Sequence, residues 1–138
     1  MENYIKAQEQ FLLGVDFMER REWEKAIHAF TASERIVNST VQVYGNIGIC
    51  HAQLGRKSDA LAAFDKALEL DPQYEPAIVN KAMTETLAEG EKLDNKVKTV
   101  EYYKDFPMKN RSYVQYFLDE SLQAQDKNRP IIAANGRA

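Results

Sequence analysis

The chain has 138 residues, 44% hydrophobic and 28% charged, with 18 basic against 21 acidic side chains and a formal net charge of -3. This is the composition of one ordinary globular domain, without the basic excess of a nucleic-acid binder. One cysteine, Cys50, and two histidines exclude an intramolecular disulfide framework and a cysteine- or histidine-rich metal site.

Residues 1–6 lack the basic-then-apolar pattern of a signal peptide, and no apolar run nears the roughly 18 residues of a spanning helix. The expectation is a cytoplasmic protein with no membrane insertion. Sliding the chain by 34 residues sets Gln8 on Gln42, Gly14 on Gly48, Ala26 on Ala60, Ala29 on Ala63 and Phe30 on Phe64. A period of this length with small residues at fixed places predicts stacked helix-turn-helix units.

The first unit, 7–40, holds Leu13-Gly14 and Phe17 in one helix and Ala26 and Phe30 in the next. Trp23 falls in the turn between them. Asn38-Ser39-Thr40 can stop the second helix and cap the following one. The second unit, 41–74, reads Tyr44-x-x-Ile47-Gly48-x-x-His51, then Ala60-x-x-x-Phe64-x-x-Ala67, then Asp71-Pro72. Gly48 and Ala60 would sit where the helices cross, since only small side chains allow the approach. Gly55 would make the turn, Ser58 would cap the second helix, and Pro72 would end it.

The third unit, 75–108, opens with Ala77, Ile78, Ala82 and Leu87 at helical spacing, and Gly90 marks a turn. A second helix is expected over about 92–103, with Leu93, Val97 and Val100 as its apolar stripe, although the Ala-x-x-x-Phe signature is missing. Phe106-Pro107 breaks the chain. An amphipathic helix over 111–125, with Tyr113 and Phe117 on one side, is expected to cap the uncovered apolar face of the last unit. Residues 1–125 would form the repeat domain. Residues 126–138, with Pro130, Asn135 and Gly136, would form a flexible tail.

The second unit closely resembles the tetratricopeptide pattern of an aromatic, Leu-Gly, Tyr, Ala, Phe, Ala and Pro. The first departs from that pattern at Gln10, Ser33 and Asn38. The resemblance implies an all-α fold: a right-handed helical-repeat solenoid of three helix pairs plus the C-terminal capping helix. It also implies a concave groove lined by the first helix of each unit. Its candidate partner-binding residues are Gln8, Phe11, Val15 and Met18, then Gln42, Asn46, Ile49 and Gln53, then Val79, Asn80 and Met83. At the positions where one subclass clamps a chaperone's C-terminal carboxylate, only Asn46 agrees and no basic residue stands ready, so a carboxylate-clamp role is not expected.

Catalytic chemistry finds little support. His51 replaces a packing tyrosine, Cys50 has no base and orienting partner in view, and the carboxylates lie among lysines and arginines on helix faces. No glycine-rich phosphate loop is present. The expectation is no enzyme activity, no catalytic residue, no cofactor and no metal. Residues 1–90 carry 9 basic and 14 acidic side chains, and residues 91–138 carry 9 and 7, which reads as ordinary scatter.

Function is therefore expected in the groove. The stripe of Phe11, Val15, Met18, Ile49, Val79 and Met83, rimmed by glutamines, suits a peptide or amphipathic helix with apolar anchors. The chain would be a non-catalytic protein-protein interaction module, adaptor or chaperone-like. The alternative is a structural helical domain whose groove is filled by its own C-terminal helix or by a second subunit in a homodimer.

Overall fold

The computed structural model describes residues 2–95, 99–103 and 114–118, with side chains up to residue 94. Five helices come first: α1 (Glu2–Glu19), α2 (Trp23–Ile36), α3 (Val41–Gln53), α4 (Lys57–Leu70) and α5 (Glu75–Glu85). They stack in chain order. α1 pairs with α2 and α3 with α4, α2 packs on α3, and α4 packs on α5. This is the expected helical-repeat solenoid.

The helices form where apolar and small residues recur at helical spacing. α1 buries Ala7, Phe11, Gly14, Val15 and Met18, and α2 buries Ala26, Ala29, Phe30 and Ser33. α3 is central, touched by α2, α4 and α5, and it buries residues on most of its circumference, as an enclosed helix must. One core runs from Ala7 to Leu93. Ser33, where an alanine is usual, joins the first pair. Its hydroxyl donates to the Ala7 carbonyl at 2.9 Å, inside the core.

The helix ends differ in detail from expectation. α4 starts one residue before Ser58, with Arg56 at its cap position and no side-chain cap bond. Thr40 does precede α3, but its hydroxyl donates back to the Val37 carbonyl at 3.3 Å. Asp71 ends α4 ahead of Pro72, and its carboxylate accepts the Gln73 N–H at 3.0 Å.

The third unit departs most. In place of a second helix over 92–103 there is a short 3-10 helix (Leu93–Asn95) and a strand, β1 (Thr99–Tyr103). Within the expected capping helix over 111–125 lies a second strand, β2 (Val114–Leu118). The two pair antiparallel, Thr99 opposite Leu118 and Tyr103 opposite Val114. The cause is composition. Thr99-Val100-Glu101-Tyr102-Tyr103 and Val114-Gln115-Tyr116-Phe117-Leu118 are β-branched and aromatic runs, which fit a pleated sheet better than a helix. They also lack the small residues with which a second helix docks. α5 accordingly has no helical partner of its own among the described residues. Ala77 and Leu87 are buried, but Ile78 and Ala82 are exposed. The rest of 111–125 and the tail 126–138 lie outside the described residues.

Candidate functional site

The first helices α3 and α5 lie against one another, and β1 runs along both. The 3-10 helix that leads into β1 rests on α3, and its Leu93 is wholly buried. The face expected to be an open groove is thus crossed by the chain itself.

Polar contacts tie the stack together around this crossing, and one of them reaches the 3-10 helix itself. Lys57, in the first turn of α4, donates from Nζ to the Leu87 carbonyl at 2.6 Å and to the Glu85 carbonyl at 3.2 Å. A cation placed there answers carbonyls that no helical N–H reaches, with the favourable sign for a helix C-terminus. Lys81 on α5 pairs with Asp65 on α4 at 2.8 Å, and this bond holds the Lys81 ammonium above its ordinary pKa. The Arg56 guanidinium bonds the Glu24 carboxylate and keeps that carboxyl below the usual range. Arg21, in the turn after α1, bonds the carboxylate of Asp94 in the 3-10 helix, 73 residues away.

The expected site residues divide into two groups. Phe11, Val15, Met18 and Ile49 are buried core residues rather than an exposed stripe. Phe11 packs on Phe30 with ring centroids 5.4 Å apart and planes tilted by 58°. Gln8, Gln42, Val79 and Met83 remain partly exposed. Asn46 and Asn80 occupy the same place in successive units, on the two helices that β1 follows, and both are wholly buried. Gln53 is also buried, and its amide has no hydrogen-bond partner among the described residues. Three buried amide side chains thus belong to the two helices that β1 contacts.

Arg21 and Asp94 were not singled out by spacing or composition. The signal for Arg21 lies in the repeat itself, because position 21 falls on Gly55 when the chain is shifted by 34.

The titratable groups that α3 carries are poorly suited to catalysis. Burial drives the Cys50 thiol strongly upward, away from the reactive thiolate. Burial also pushes the His51 imidazole below its usual value, partly opposed by Asp59. Tyr44, half-buried and donating to Glu34 at 2.9 Å, is pushed up to about 12, first by burial and then by that bond. Among the described residues no group of three histidine, cysteine, aspartate or glutamate side chains could hold a metal ion. Nor is any described helix long and apolar enough to cross a membrane.

A second apolar surface lies at the start of the stack. Ile5, Leu12 and Leu13 on α1 are 46%, 45% and 41% exposed. An open cleft of about 270 Å³ lies between α1 and α2, lined by Gln10, Leu13, Phe17, Lys25, His28 and Ala29.

Residues 41–74, the α3–α4 pair, match the family model of the tetratricopeptide repeat. No curated protein matches the chain. The tetratricopeptide repeat is a protein-protein interaction unit and, in general, not a catalytic one.

Proposed function

With residues 41–74 a tetratricopeptide repeat, we propose that this chain is a non-catalytic, adaptor-like interaction module that takes an extended protein segment on the face of α3 and α5. The observation behind this reading is the course of β1 along both helices. An extended backbone lies along the two helices that carry Asn46, Gln53 and Asn80, and a partner's segment would take its place. The chain's own strand is then a stand-in for the ligand. A partner segment would have the same character, extended and rich in β-branched and aromatic residues, and would compete with it. A helical ligand fits this face less well, because the occupant seen there is a strand.

The test uses a fluorescein-labelled peptide of residues 96–106 and the full-length chain. Val100→Pro places proline in β1, where it cannot serve the ladder opposite Phe117, and should free the face. Saturable anisotropy change with this variant, weaker with wild type and lost on adding Met83→Glu, is the expected pattern. No binding by the Val100→Pro chain, with its helical circular dichroism intact, would overturn the reading.

A further inference from the structure

The turns between paired helices in units one and two each place one residue in the left-handed region. In the second pair it is Gly55, with φ 80°, and in the first it is Arg21, with φ 61°. The two positions are equivalent under the 34-residue repeat. Glycine meets this backbone demand without a steric penalty, whereas a residue with a side chain does not. At position 55 a side chain is also barred by space, since a Cβ would fall 2.6 Å from the Gly90 carbonyl oxygen. At position 21 the chain keeps a long side chain despite the backbone cost. Strain retained in this way points to a use for the side chain.

That side chain reaches Asp94. The guanidinium bonds the Asp94 carboxylate and lies 5.7 Å from the centroid of the Trp23 ring. Asp94 follows the wholly buried Leu93, in the 3-10 helix that rests on α3 and leads into β1. The pair therefore joins the first turn of the stack to the element that crosses the binding face. Its two side chains are 47% and 29% exposed, so solvent and salt screen it. A link of that kind can open under mild conditions, which a purely apolar lock would not do.

We propose that Arg21 and Asp94 form an electrostatic latch. It holds the 3-10 helix and β1 over the face of α3 and α5, and its opening admits an incoming extended segment. The proposal rests on the reading above that this face binds such a segment. The latch makes access to the face sensitive to ionic strength and to any partner charge that draws Arg21 or Asp94 away.

The decisive variant is Arg21→Gly in the full chain. It removes the latch and at the same time gives the turn the residue it favours. The unfolding midpoint should stay level or rise. Amide hydrogen exchange across residues 99–103 should become faster by up to about fivefold, the scale of one exposed ion pair. Asp94→Asn should speed the same amides, and the double variant should add little to either. Added salt should speed exchange in wild type and leave the variants unchanged. The labelled 96–106 peptide should bind Arg21→Gly tighter than wild type by a similar factor.

Unchanged exchange in both single variants overturns the latch, as does a fall in the midpoint of Arg21→Gly without any local change at 99–103. If the peptide binds the Val100→Pro chain while Arg21→Gly exchanges and binds like wild type, the binding face stands and the latch alone fails. If exchange speeds up but the peptide binds neither Arg21→Gly nor Val100→Pro, the binding face fails and the latch proposal falls with it.

Discussion

Gly48 lies directly under the ring of Phe64: a Cβ at position 48 would fall 2.4 Å from Phe64 Cε1. The same relationship recurs one repeat earlier between Gly14 and Phe30, at 2.5 Å. Phe64 is wholly buried and has little room to retreat. Gly48→Ala gains about 1 kcal/mol of helix propensity, but the crowded crossing costs about 1–3 kcal/mol. A net loss of up to about 2 kcal/mol is expected in urea denaturation. A variant as stable as wild type would show that the ring can move.

Leu93 is wholly buried although it lies beyond the last α-helix. Leu93→Ala removes a core side chain from the crossing and should cost about 2–5 kcal/mol of stability. A loss confined to a few tenths of a kcal/mol would mean that the crossing contributes little to the global fold.

His51 gives the fold a pH dependence of known sign. Burial sets its folded pKa below the ordinary value of 6.5. On acidification the unfolded chain therefore takes up the proton first. The stability tied to neutral His51 is complete above 6.5 and is lost as the pH falls through that value toward the lower folded one. His51→Gln should make the urea midpoint fall less steeply than wild type below about pH 6.5. An identical slope in the two proteins would contradict the burial of the imidazole.

Cys50 should be inert in the folded chain. Its thiol is wholly buried and held in the neutral form, so reaction with a disulfide reagent should follow the rate of opening rather than the thiol's own chemistry. Prompt labelling in native buffer, with full labelling in urea no faster, would contradict this.

The first four helices were legible because the 34-residue repeat aligns glycine with glycine and phenylalanine with phenylalanine. Those pairs mark helix crossings, and a crossing fixes both helices at once. The ends were less legible. Ser58 has the chemistry of a cap, yet α4 begins at Lys57, with Arg56 at the cap position and no side-chain cap bond. The third unit departs from the repeat pattern for a physical reason. Leu93, Val97 and Val100 satisfy a helical stripe, but the run Thr99–Tyr103 finds its pairing in Val114–Leu118, and periodicity within one segment does not reveal a distant partner. The site was legible only in part. The repeat register placed Asn46, Gln53 and Asn80 on the first helices, but it could not show that Phe11, Val15, Met18 and Ile49 would be sealed into the core.

An open stack of repeats behaves like a row of neighbours, each sensing only the next, and its ends can fray without disturbing the middle. Arg21 and Asp94, 73 residues apart, join the first unit of the row to the third. A contact of that sequence separation raises the contact order of a fold whose other pairings are mostly between adjacent helices, and such contacts close late in folding. The clasp can form only after all three units have stacked, so it reports completion of the assembly. Once formed, it couples the first turn to the crossing only as strongly as one screened ion pair allows.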